Sequence, residues 1–226
     1  QPGAFTSLDA LQAAFNLWVA DMPAALAAHG EIQSWDTSNV ENMTELFSGT
    51  GVFQGAIGAW DVSRVRIMER TFSYATAFNQ PLSEWDLSKV TSTYQMFDHA
   101  SKFSQHVGDW DLSQATTTAQ MFSHAYDFNS AVGAWDMSSV TSADMMFHEA
   151  SMFNSDLDDW DMSSVVTTES MFSSHSCQSA FYGIVSDWDT SSVTSLAMMF
   201  FGARNFNSAV GDWDTSRVTN VSRAFS

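Results

Sequence analysis

"WDLSKVTSTYQMFDHASKFSQHVGDWDLSQATTTAQMF", residues 85–122, says nearly the same thing twice. Trp85-Asp86 returns as Trp110-Asp111, and Met96-Phe97 returns as Met121-Phe122, each after 25 residues. The Trp-Asp pair stands at 35, 60, 85, 110, 135, 160, 188 and 213, so a single interval of 28 interrupts a period of 25. A period of this size overrides the expectation of one or two ordinary domains in 226 residues and indicates an array of stacked repeats.

Aligned on Trp-Asp, the repeats share the pattern L-x-x-W-x-L-x-x-V, as in Leu82, Trp85, Leu87 and Val90. The Trp-x-Leu alternation predicts a short strand with one buried face, and Asp86 and its counterparts point the other way. Val90, Thr93, Met96, Phe97 and Ala100 follow at three- and four-residue steps, which predicts a short helix with Ser88 near its cap. Phe103 and its counterparts turn the chain toward the next repeat. Asn79, Asn129, Asn154 and Asn207 follow such phenylalanines and are expected to bond the backbone of their own or a neighbouring turn.

The predicted fold is therefore an α/β solenoid of leucine-rich-repeat type, with eight turns that each carry a short parallel strand and a short helix. Eight such strands would make a sheet roughly 34 Å long. The repeated tryptophans fall on the inward face of that pattern and read as core. Residues 1–30 lack the repeat and predict an N-terminal helical cap: Thr6 and Ser7 precede one amphipathic helix, Pro23 opens a second and Gly30 closes it. The solenoid covers 31–226. Its last turn, through Arg223 and Phe225, has no comparable cap, so self-association through that uncapped C-terminal turn is one expectation, with Arg217 and Arg223 as charged gatekeepers.

Composition narrows the partners. Eight basic residues stand against 26 acidic ones, a formal charge of −18, which repels nucleic-acid backbones and anionic membranes. Neither nucleic acid nor membrane insertion is expected, and no apolar run reaches the roughly 18 residues that a spanning helix needs. A single cysteine, Cys177, cannot form an internal disulfide.

The elements W-D-x-S-x-V-T, M-F-x-x-A and F-N at this period resemble the BspA-like leucine-rich-repeat surface proteins, whose repeat is also catalogued as a domain of unknown function. The resemblance covers residues 31–226. It implies an extracellular or cell-surface chain linked with adhesion, and it supplies no catalytic site.

Residues repeated in every turn are explained by stacking, so function is sought where repeats differ or face outward. The outward acidic strand face comprises Asp86, Asp109, Asp111, Asp136, Asp159, Asp161, Asp189 and Asp214. It reads either as Asp-x-Ser turns or as a strip for a basic or cation-bridged partner. No cofactor is expected, with calcium as a candidate at Asp156, Asp158, Asp159 and Asp161, although no EF-hand spacing accompanies them. The inserted stretch 173–181 carries His175 and Cys177, and an irregular loop on a regular surface is a place for function. Small hydroxyls form two further columns, including Thr91, Thr116, Thr117, Thr141, Thr167, Thr194 and Thr219. They read as helix caps or as a lattice that orders water against ice. The six histidines are scattered. His99 and His124 share a column beside Glu149, a set that could hold zinc or be ordinary surface.

No nucleophile elbow, phosphate loop or metalloprotease motif is found, so no enzymatic activity is expected. The leading expectation is a non-catalytic, secreted or surface-displayed scaffold that binds a protein or glycan partner. Ice binding by the Thr/Ser array is the alternative, and a self-associating structural spacer is the third.

Overall fold

In the computed structural model, which describes residues 3–176 and 179–226, seven tryptophans repeat one bond. The indole Nε1–H of Trp60, Trp85, Trp110, Trp135, Trp160, Trp188 and Trp213 donates to a backbone carbonyl of the preceding repeat at 2.7–3.1 Å. The rings are buried and stack on one another, as Trp110 does on Trp135 with centroids 6.4 Å apart and planes 9° apart. Two phenylalanine columns run beside them. Phe97 stacks between Phe72 and Phe122 at 5.0 and 5.5 Å, and Phe103 lies 4.0 Å from Phe97 in the second column. Each stacked aromatic pair adds about 0.5–1.5 kcal/mol beyond the area it buries.

The predicted strand and helix in each repeat do not form. Among the described residues the regular elements are α1 (Leu8–Ala20), α2 (Met22–His29) and a 3-10 turn at Ile32–Ser34, with no strand and no sheet. The fold is therefore not an α/β solenoid of leucine-rich-repeat type. The repeats are turn-rich, irregular chain. Parallel pairing is confined to one isolated bridge between successive repeats, running from Asn42↔Ile67 through Ser92↔Thr117 to Ser195↔Asn220. That column was expected to begin helices. The Trp-Asp column carries no ladder.

The hydrogen bonds explain both departures. Trp85 N–H bonds Leu82 O and Val90 N–H bonds Leu87 O, so the buried alternation of Trp85 and Leu87 comes from two adjoining three-residue turns and not from an extended pleat. Further on, the N–H groups of Met96, Asp98 and Ala100 reach back three residues, while those of Thr93, Gln95, Phe97 and His99 point forward to carbonyls of the next repeat at 2.8–3.2 Å. A helix would turn every N–H back along its own axis, four residues behind. Gln95 and His99 instead adopt φ of 54° and 58°, a left-handed conformation that costs about 1–2 kcal/mol per non-glycine residue. Bonding between repeats holds them there, and the columns continue through Arg70, Gln120 and Met145, and through Tyr74, His124 and Glu149.

Two N-terminal helices form, the second capped by Asp21 and starting at Met22, one residue before Pro23. Ser7 Oγ accepts from Ala10 N–H, Asp21 Oδ1 accepts from Ala24 N–H, and Gly30 ends α2 at φ 73°. Helix α1 lies against the first repeat: Phe15 packs edge-on to Phe47 and Phe53, and Gln12 Nε2 donates to Leu46 O.

The 28-residue interval leaves the stack intact. Phe181 still lies over Phe153 at 6.0 Å and Phe172 still meets Phe200 at 5.5 Å, so the three extra residues fall in the sequence between Phe172 and Phe181. Cys177 lies outside the described residues.

Candidate functional site

The aspartates of the Trp-Asp pairs are exposed on the edge of a turn, not on a strand face. In all eight, from Asp36 to Asp214, Oδ1 accepts the backbone N–H of the serine two residues on at 2.9–3.1 Å. This is an Asx turn, the local use that Asp-x-Ser favours. The serine hydroxyl first, and its backbone N–H second, hold the carboxyls of Asp36, Asp86, Asp136 and Asp189 below the usual range. At Asp214 the backbone N–H of Ser216 leads. The column shapes the chain.

The four aspartates considered for calcium are separated by their local duties. Asp156 Oδ1 accepts Ile184 N–H, Asp158 Oδ1 accepts Ser186 Oγ–H and Asp187 N–H, and Asp161 bonds Ser163. Asp156 and Asp159, with Asp109, His106, Asn129 and Asn154, instead line an open groove of about 610 Å³ across three repeats. His106 Nε2 and Asp109 Oδ2 are 2.8 Å apart at its rim. Two groove asparagines stay in register: Asn129 Oδ1 accepts Asn154 N–H, and Asn154 Oδ1 accepts the N–H of Tyr182, whose side chain is exposed.

The threonine columns divide. Thr91, Thr116, Thr141 and Thr219 are exposed in register, and each Oγ1 donates to a carbonyl one repeat back at 3.1–3.2 Å. Thr194 makes the same bond but is half-buried. Thr117 and Thr167 lie in the bridge column, half-buried, where Thr117 Oγ1 accepts Ala119 N–H and Thr167 Oγ1 donates to Asp144.

On another edge the rings of Tyr74, His99 and His124 stack at 4.3 and 4.1 Å. His148 meets His124 edge-on at 5.0 Å, and His175 on the inserted loop meets His148 edge-on at 5.4 Å. The loop folds around one carboxylate. Glu149 Oε1 accepts the backbone N–H groups of His175 and Ser176 at 2.5 and 3.4 Å, and Oε2 accepts the hydroxyls of Ser174 and Ser176 at 3.2 and 3.1 Å. Burial opposes the charge on Glu149, but these bonds and the neighbouring His148 outweigh it and hold its pKa below the usual value.

The place of His148 is not visible from the repeat columns. It precedes Glu149 by one residue and sits in a column that also holds Ser48, Ser73, Asp98, Ser123, Ser173 and Phe201. Comparing adjacent columns, and not only identical ones, would have joined His148 to His124 and His175.

Burial, and then charge repulsion within the imidazole row, lowers the pKa of both His124 and His148. Asp98 and Glu149 oppose that repulsion at His124, as Glu149 does at His148, without reversing it. Between the lowered folded values and about pH 6.5 the folded rings therefore hold fewer protons than the unfolded chain. Their contribution to stability is complete above about pH 6.5 and is lost as pH falls through the lower folded values. The depressed carboxyls contribute above about pH 3.9 and lose that contribution below it. The urea midpoint should therefore fall in two stages on acidification, and a His124→Gln, His148→Gln chain should lack the first. One transition shared by both proteins would contradict this assignment.

The family model described as "Mycoplasma protein of unknown function, DUF285" matches residues 19–131, 105–178 and 175–226, three segments that together span the repeats. Comparison with curated proteins and with solved structures gives no match.

Proposed function

The chain belongs to the repeat family described as Mycoplasma protein of unknown function, and from that premise we propose that it is a non-catalytic scaffold that binds glycans along the groove between His106 and Asp159. The observation that carries this reading is the composition of the groove. Asn129, Asn154, Asp109, Asp156 and Asp159 present amide and carboxylate groups along an open, extended trough, with the exposed ring of Tyr182 following Asn154. Aligned polar groups suit the hydroxyls of a sugar chain, and an exposed aromatic ring on the residue whose N–H bonds Asn154 can cover its apolar faces. Three carboxylates in the lining, within a chain of charge −18, select neutral or amino-sugar glycans over anionic ones. The resemblance to BspA-like surface proteins fits display outside the cell and adhesion.

Binding to an array of neutral, amino-sugar and anionic glycans is the test. Wild type should retain neutral or amino-sugar chains, and Tyr182→Ala with Asp159→Asn should reduce that binding by about tenfold or more, the equivalent of 1.4 kcal/mol. Thr116→Lys should leave it unchanged. Equal binding by the wild type and the double variant would remove the groove from consideration.

A second reading, ice binding, is favoured by the in-register exposure of Thr91, Thr116 and Thr141. Against it, Val166 interrupts the column and each hydroxyl proton is committed to a carbonyl. Faceted ice crystals with wild type, rounded with Thr116→Lys, would move the function to that face.

A further inference from the structure

Three potential ligand atoms converge within 4.8 Å of one another at two places among the described residues: Asp98, His99 and His124, and His148, Glu149 and His175. The two sets differ in how their rings are presented. An imidazole donates through a lone pair in the plane of its ring. His99 and His124 lie face to face at 4.1 Å with planes 13° apart, so their lone pairs run side by side and do not meet. His148 and His175 are nearly perpendicular, at 87°, so their lone pairs are not forced to run parallel as those of a stacked pair are. Glu149 closes the triangle, with Oε1 3.6 Å from His175 Nδ1.

The second set is also prepared from behind. Ser173 Oγ–H donates to Ser170 O, so this oxygen can only accept from the His148 Nδ1 that lies 2.7 Å away. That bond places the His148 proton on Nδ1 and leaves the Nε2 lone pair available, an arrangement in which an outer hydrogen bond orients a ligating imidazole. The inserted loop is held to Glu149 by the backbone of His175, which brings the third side chain to the other two. When an ion takes an oxygen of Glu149, one of the Ser174 and Ser176 hydroxyls, 2.9 Å apart, can donate to the other, while the backbone bond stays in place.

We propose that His148, Glu149 and His175 bind a divalent transition-metal ion of the zinc class. Two imidazoles and one carboxylate form a donor set that suits zinc, nickel or copper and not calcium or magnesium, whose preferred ligands are all oxygen. An ion at about 2.0–2.1 Å from each donor would draw these atoms to roughly 3.3–3.4 Å of one another, from separations now within 4.8 Å. Because His175 stands on the exposed loop, a fourth ligand can be water or a group brought by a partner. This site is separate from the glycan groove, and its test is independent of that reading.

The untagged full chain, stripped with a chelator, is titrated with zinc by calorimetry and with cobalt(II) by absorption. The expected result is one equivalent bound, undisturbed by excess calcium. His175→Ala should weaken binding by at least about 100-fold, and Ser173→Ala, which releases the ring without removing a ligand, by about 10–100-fold. His99→Ala should bind as wild type does. Because a loss in His175→Ala could reflect a disturbed loop, His175→Cys is included: it should restore binding and add a thiolate-to-cobalt charge-transfer band. Failure of wild type to bind one equivalent, undiminished binding by His175→Ala, or no new band with His175→Cys overturns the proposal. Loss in His99→Ala overturns it too and assigns the ion to the stacked pair.

Discussion

Trp135→Ala is expected to lower stability by about 3–5 kcal/mol, the range for removing a buried aromatic side chain. Trp135 is 2% exposed, stacks on Trp110, and meets Phe122 at 6.2 Å. Its truncation opens a cavity between two aromatic columns and deletes the bond from Nε1 to Val107 O at 2.9 Å. In a stack where each repeat touches only its neighbours, a fault in the middle weakens two interfaces at once. Against a typical total of about 5–15 kcal/mol, the loss approaches global unfolding. Trp135→Phe, which keeps a ring and loses the donor, should cost about 1–2 kcal/mol. Urea denaturation measures both. An alanine variant within about 0.5 kcal/mol of wild type, as at a surface position, would mean the tryptophan column is not the core.

The second large effect is expected just past the inserted stretch. A Cβ on Gly183 would lie 2.1 Å from Ser155 O and 2.9 Å from Cε2 of Phe181, so Gly183→Ala forces the chain after Phe181 off the repeat beneath it. Backbone is the obstacle, and it cannot swing aside as a flexible side chain could. A cost of about 1–3 kcal/mol follows, as for other overpacked sites. Gly211→Ala is the control, because a Cβ there meets nothing within 4 Å. Thermal melts of the two variants should differ by several degrees. Equal melting would show that the chain there yields freely.

Stacking was legible in the sequence because it repeats: one environment recurs in each turn, and the same side chain answers it each time. Trp85, Phe97 and Phe103 show this in the core, and Asp86-x-Ser88 shows it in the turns. Secondary structure within the repeats was not legible. Consecutive three-residue turns bury side chains at steps that imitate a strand at Trp85 and Leu87 and a helix from Val90 to Ala100. Local pattern cannot tell them apart when the deciding bonds run to a chain 25 residues away. The left-handed residues Gln95 and His99 left little trace. The clue was Gly49 and Gly202, at φ 72° each, in the column that also holds His99. Of the candidate site, His99, His124 and Glu149 were legible as a column. His148 was hidden because its role depends on the hydroxyl of Ser173, one repeat on.

The forward-pointing bonds also distinguish the two faces of a repeat. Over the stretch from Thr93 to His99, one face presents N–H groups and the other receives them on carbonyls. At the first repeat the carbonyl of Leu46 takes its donor from Gln12 of α1. Two like faces brought together along this stretch would set donor against donor or acceptor against acceptor. A mirror-like pairing about a two-fold axis is therefore disfavoured along the stacking direction. Helix α1 already covers the carbonyl face at the first repeat, so a head-to-tail copy would also have to displace it.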